Sequence, residues 1–245
     1  MTGVQGYRRR GMGIPPVVLN LIIINTLFLL VTYMFSDKIN LYSILGLHYF
    51  SSHDFGTWQF VSYMFMHGGF THLLFNMFAL WMFGSVLEQV WGGKRFLTFY
   101  MVTGIGAGLV QLLVAFFRIQ SAEGMLTPEQ IDYVYTHGPD LWREGKTFTE
   151  QSMATLHRII NTPTVGASGA VFGILLAFGM LFPNTLIYVF FAIPIRAKYF
   201  VMIYGALELY YGVSGTQEGI AHFAHLGGMV FGYFLIVYWR KKGVY

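Results

Sequence analysis

The sequence predicts an all-α, polytopic membrane protein built as a bundle of six transmembrane helices. Composition is the first sign: 55% of the 245 residues are hydrophobic, 18% are aromatic and only 11% are charged, whereas about a quarter of a soluble domain is charged. The second is where the charges lie. They bunch between long uncharged runs, so no charged shell is available to dissolve a single core of this size. The third is that the uncharged runs have the length a helix needs to cross a bilayer.

Apolar runs cover 17–35, 70–87, 96–117, 168–182, 197–213 and 222–239. The first follows Arg8, Arg9 and Arg10, as a secretory signal would. At ~1.5 Å per residue it nevertheless spans the hydrocarbon core, and no small-residue cleavage site follows, so it reads as an uncleaved first helix. The mixed segment 37–66, with Trp58 and Tyr63, reads as interfacial. The polar segment 118–164 reads as an insertion outside the membrane. In it Thr127-Pro128-Glu129-Gln130 and Thr147-Phe148-Thr149-Glu150 have the form of capping boxes that start short helices.

Lys and Arg counts set the expected orientation. Ten of the fifteen bases fall on one side: Arg8, Arg9, Arg10, Lys94, Arg95, Arg196, Lys198, Arg240, Lys241 and Lys242. Lys38, Arg118, Arg143, Lys146 and Arg158 fall on the other. The positive-inside rule then gives a cytoplasmic segment at 1–14, a six-helix domain at 15–240 and a cytoplasmic tail at 241–245. The expected location is an integral membrane protein of the bacterial inner membrane, with the lipid bilayer as its surroundings. The net charge of +4 fits this orientation, and no basic stripe suited to nucleic acid appears. Absence of cysteine removes disulfides, thiol nucleophiles and thiolate metal sites.

Polar residues that interrupt apolar runs are costly in hydrocarbon unless they have partners. His72 and Asn76 open the second run, Ser168 opens the fourth within Gly166-Ala167-Ser168-Gly169, and His225 opens the sixth within Ala224-His225-Leu226-Gly227-Gly228. Helical rise puts Ser168 ~21 Å, His225 ~22 Å and His72 ~24 Å from the far ends of their helices. The three therefore share one depth, some ångströms below the outer surface.

That depth gives the residues a joint chemistry. A serine hydroxyl becomes a nucleophile when a base takes its proton, and a histidine suits the task. Ser168 would attack and His225 would be the base. Backbone N–H groups at the start of the fourth helix, with His72 and Asn76 one turn apart, would stabilise an oxyanion. No Asp or Glu is expected at this depth, which makes the site a Ser–His dyad. Phe172, one turn after Ser168, is the candidate to stack on the imidazole. Gly169 with Gly173, and Gly228 with Gly232, are spaced to let the fourth and sixth helices approach closely.

These residues resemble the rhomboid family of intramembrane serine proteases, bacterial type. The resemblance rests on Gly166-Ala167-Ser168-Gly169, Ala224-His225-Leu226-Gly227-Gly228, His67 with His72-Leu73-Leu74-Phe75-Asn76, and Glu88-Gln89-Val90-Trp91-Gly92, and it covers 15–240. It implies a rhomboid-like bundle and hydrolysis of peptide bonds in single-pass transmembrane protein substrates. Ser168 would be the nucleophile, His225 the base, and His72, Asn76 and Gly166 the oxyanion and substrate-binding residues. His67, Phe172, Gly169 and Gly228 would support them, with no metal or other cofactor. The family's first-loop Trp-Arg pair is Trp58-Gln59 in this sequence.

Other readings compete. Gly-Ala-Ser-Gly alone could be small-residue helix packing. His67, His72, His222 and His225 could be metal ligands, but the His-Glu-x-x-His pattern is absent. His222 is expected to face an external cap, His67 to make a structural hydrogen bond, and His48, His53, His137 and His157 to lie in polar outer segments. Glu88 reads as an ion-pair or helix-end anchor. Glu208, in the fifth run, must be paired or face a cavity. Trp91 and Trp239 are expected in an interfacial aromatic belt. The alternative function is a non-catalytic rhomboid-like protein that binds transmembrane helices.

Overall fold

The computed structural model describes residues 13–189, 192–215 and 221–243. Arg8, Arg9, Arg10 and most of the expected terminal segments lie outside them. The described chain is helical apart from a short hairpin. In order it forms α1 (Pro16–Met34), α2 (Leu41–Leu45), α3 (Gln59–Ser62), α4 (Phe70–Ala79), α5 (Ser85–Trp91), α6 (Gly93–Glu123), α7 (Pro128–Arg143), α8 (Gln151–Asn161), α9 (Ser168–Leu181), α10 (Ala197–Ser214) and α11 (His222–Lys241). A π-helical turn at Leu80–Gly84 joins α4 to α5, so Phe70–Trp91 is one helical rod. Strands β1 (Leu186–Val189) and β2 (Ile193–Arg196) pair antiparallel between α9 and α10.

Three helices, Pro16–Met34, Phe70–Trp91 and Gly93–Glu123, are long and apolar enough to cross a membrane, and α9 is a shorter apolar helix. Large apolar side chains such as Leu27, Phe75, Phe117, Met202 and Phe234 project outward from the bundle. Contiguous apolar exposure of this kind is suited to lipid rather than water.

Glycine faces bring α6, α9 and α11 together. A Cβ on Gly228 would collide with the Gly169 carbonyl oxygen, and one on Gly169 would collide with the Ala107 methyl. One on Gly173 would lie 2.7 Å from Thr103 Cβ and 3.0 Å from the Gly228 oxygen. The glycines expected to admit close approach therefore do so, backbone against backbone.

The first helix is closed by a residue far away in sequence. Its opening N–H groups have no capping side chain of their own. The Glu88 carboxylate accepts from Val17 N at 3.0 Å and Val18 N at 2.8 Å, so it anchors the helix end as a buried cap.

Segment 37–66 is more than interfacial. Tyr63 and Met64 are fully buried, and the Tyr63 hydroxyl donates to the Gly104 carbonyl. Gln59 holds this loop in shape. Its Nε2 donates to the carbonyls of Ser43, Ile44 and Asp54, and its Oε1 accepts from His48 N. An amide with both donors and an acceptor does this work without a guanidinium. The loop in turn holds the chain ahead of α9: Leu47 and Thr164 exchange backbone bonds, and Gly166 N donates to Tyr63 O.

The polar segment forms α7 and α8 over a small separate core of Ile119, Ala122, Val134, Met153, Leu156 and Ile160. Helix α6 continues to Glu123, so the first residues of the segment extend a spanning helix. Thr127 and Gln130 make the expected capping box. The second start falls three residues later than expected: Glu150, not Thr147, accepts from Ser152 N and Met153 N. Thr147 instead pairs with His157 Nδ1 at 2.9 Å, while His157 Nε2 bonds the Gly138 carbonyl at 2.8 Å. His157 lies in the polar segment and His48 in segment 37–66, and both are fully buried there. Trp91 and Trp239 are buried too, packed with Phe99 rather than facing an interface.

Candidate active site

Ser168 is the first residue of α9, and His225 lies one turn into α11. The backbone contact between these helices sets their side chains face to face, with His225 Nε2 2.8 Å from Ser168 Oγ. Phe172, one turn along α9, stacks on the imidazole with centroids 4.3 Å apart and planes 5° from parallel. Both residues line a cavity of about 1170 Å³, as do His72 and Asn76.

Across the cavity, α4 presents His72. The backbone N–H of Gly68 donates to His72 Nδ1 at 3.3 Å. That bond fixes the ring proton on Nε2. Gly166 has φ +131°, and a Cβ there would sit 3.0 Å from His72 Nε2 and 3.4 Å from Ser168 Oγ. The hollow left by this glycine is therefore flanked by the hydroxyl on one side and an N–H donor on the other. Asn76 is buried and uses one amide hydrogen on the His72 carbonyl of its own helix. The start of α9 adds unpaired backbone N–H groups and the positive end of its dipole. His67 is buried beside His72, ring to ring at 5.1 Å, and bonds the Phe65 carbonyl at 3.4 Å.

The structure corrects the expected absence of a carboxylate. Glu208, on α10, places Oε2 2.8 Å from His225 Nδ1 and 2.6 Å from His222 Nδ1. All three side chains are buried. His222 thus turns inward onto Glu208, not outward to a cap. The sequence held a signal for this. Eleven residues of α10 separate Ala197 from Glu208, a rise of ~17 Å, close to the ~20 Å from Ser168 to the end of α9. His222 and His225, three apart, share one helix face.

Glu208, His222 and His225 are also the described residues best able to hold a metal, with ligand atoms within 4.8 Å of one another. Their present geometry is that of hydrogen bonds. Both Nδ1 atoms point at one carboxylate oxygen, and zinc at ~2.0–2.1 Å from each ligand would need both rings to turn.

Fold and site together define a helical membrane protein with a serine–histidine pair facing a large cavity. The Rhomboid domain model matches residues 54–128 and 141–242, and the chain belongs to the rhomboid family. It is 27% identical over 178 residues to Rhomboid protease AarA of Providencia stuartii, covering 71% of this chain and 53% of that protein. It is 26% identical over 211 residues to the uncharacterized mitochondrial rhomboid protein P4H10.10 of Schizosaccharomyces pombe, covering 77% and 53%. Rhomboid protein 1, mitochondrial, of Saccharomyces cerevisiae is 28% identical over 169 residues, covering 69% and 38%. The chain thus spans about half the length of the first two relatives and less of the third.

Proposed function

We propose that the protein is an intramembrane serine protease that cleaves single-pass transmembrane proteins. The observation that carries this reading is the 2.8 Å contact between Ser168 Oγ and His225 Nε2 beside the Gly166 hollow. Ser168 Oγ attacks the scissile carbonyl carbon as its proton passes to His225 Nε2. The carbonyl oxygen, now negative, enters the hollow, where His72 Nε2–H, Asn76 and the first N–H groups of α9 receive it. The imidazolium gives its proton to the departing amine as the C–N bond breaks; water then attacks the acyl carbon as its proton passes to His225 Nε2, and Ser168 Oγ leaves, taking that proton back as the carboxylic acid is released. This chemistry draws on the chain's own residues and needs no cofactor.

The distribution of Lys and Arg supports both termini on the cytoplasmic side, with the site opening toward the outer face of a bacterial inner membrane.

Purified protein in detergent is expected to cleave a model single-pass substrate and to react with a fluorophosphonate probe, both lost in Ser168→Ala. A wild type that neither cleaves nor labels would overturn the reading in favour of a helix-binding rhomboid-like protein. Equal activity from Ser168→Ala would remove this serine from the chemistry.

A further inference from the structure

We infer that Glu208 is the positioning residue of His225, so that the site works as a serine–histidine–glutamate triad and not as a dyad. The inference rests on the protease reading and adds a member to it.

Glu208 lies between Leu207 and Leu209, both exposed on the apolar outside of α10, yet its own side chain is turned in and buried. A carboxylate at such a position is expensive unless it is bonded on the spot. Its Oε2 meets two imidazoles, and one of them is the ring that touches Ser168. A purely structural link between α10 and α11 is already supplied by His222 at 2.6 Å. The bond to His225 has a separate consequence.

That consequence concerns the proton. His225 can accept from Ser168 only if its own proton sits on Nδ1, leaving the Nε2 lone pair free. An ionised Glu208 accepting from Nδ1–H selects this tautomer and fixes the plane of the ring, while Phe172 fixes its face. When Ser168 Oγ bonds to the carbonyl carbon, its proton moves to Nε2 and the ring becomes a cation. Both ring protons then stay on nitrogen, and the cation lies against a carboxylate already in place; Glu208 itself takes no proton. For side chains this buried, an unpaired imidazolium would be far costlier than at a soluble enzyme's surface. The other titratable groups nearby are His72 from α4, Tyr204 and Tyr211 from α10, and His222 from α11. None of them offers a second carboxylate.

The test uses the full chain in detergent with a model single-pass substrate, comparing wild type, Ser168→Ala, Glu208→Gln and Glu208→Asp. Glu208→Gln keeps the size and an acceptor but removes the charge. In soluble serine proteases the equivalent acid-to-amide change lowers kcat by about 10⁴-fold. Here Glu208→Gln is expected to lower kcat by at least about 10²-fold with KM within about twofold, and to slow fluorophosphonate labelling in parallel. Glu208→Asp is expected to restore part of kcat, because charge matters more than length. A Glu208→Gln variant with near-wild-type kcat, beside an inactive Ser168→Ala, overturns this inference alone. So does a Glu208→Asp variant as impaired as Glu208→Gln while both melt like wild type. Absence of Ser168-dependent cleavage in wild type overturns the protease reading and this inference with it.

Discussion

The Phe172 ring lies flat on the His225 imidazole, 4.3 Å away and 5° from parallel. One face of the base is therefore held by an aromatic surface on the nucleophile's own helix. Aromatic pairs contribute about 0.5–1.5 kcal/mol beyond their buried area. Phe172→Leu is expected to lower kcat by up to about tenfold, and Phe172→Tyr to retain most of it, in a steady-state cleavage assay.

Gly166→Ala tests the oxyanion hollow. Its φ of +131° disfavours any side chain, and the new methyl would sit 2.9 Å from His72 Cε1. It would fill the space between the hydroxyl and the donor. Loss of one such donor costs about 3 kcal/mol in a soluble protease. We expect a drop in kcat on the order of 10²-fold, with helical content by circular dichroism unchanged.

Gly228→Ala is expected to act on stability instead. Its Cβ would meet the backbone of Gly169, which cannot move aside as a flexible side chain can. Overpacking of this kind costs about 1–3 kcal/mol or more. Thermal melting in detergent should fall by several degrees. Gly205→Ala, whose Cβ would meet only the flexible end of Met229 at 3.2 Å, is the control and should melt near wild type.

Acid should loosen the polar segment. Burial holds the His157 imidazole below its ordinary value of 6.5, with Arg158 adding to the effect and the Gly138 carbonyl opposing it. A lowered value in the folded state means that the unfolded segment binds the extra proton more readily. The His157 contribution is thus fully present above about pH 6.5 and is lost as pH falls through the folded value. Hydrogen exchange in α7 and α8, corrected for the intrinsic pH dependence of the amide rate, should quicken as pH falls through the lowered His157 value, and His157→Phe should abolish the step.

Chelation should leave cleavage unchanged, since Glu208, His222 and His225 engage one another by hydrogen bonds. Activity lost in EDTA and regained with zinc would reassign that cluster as a metal site.

Much of this architecture was legible before any coordinates. Apolar runs bounded the long helices closely, and three of these are long and apolar enough to cross a membrane, because membrane helices must satisfy their own backbone and so announce themselves by length. The shared depth of His72, Ser168 and His225 followed from helical rise alone. Lateral information was missing. Rise gives height but not azimuth, so the inward turn of Glu208 and the burial of Trp91 and Trp239 were invisible. Helical rise along the fifth run, as along the second, fourth and sixth, puts Glu208 at the same level. The burial of His157 was hidden for a related reason, because a locally polar sequence conceals a small core. Gln59 could be seen as a departure from the family pair, but its four bonds come from a loop whose path no periodicity encodes.

The reach of Glu88 to the first amides of α1 has a consequence for how the chain is assembled. Those amides are completed by a side chain seventy residues further on. The end of α1 is therefore complete only with the far end of the Phe70–Trp91 rod beside it, so the two helices form one hydrogen-bonded unit.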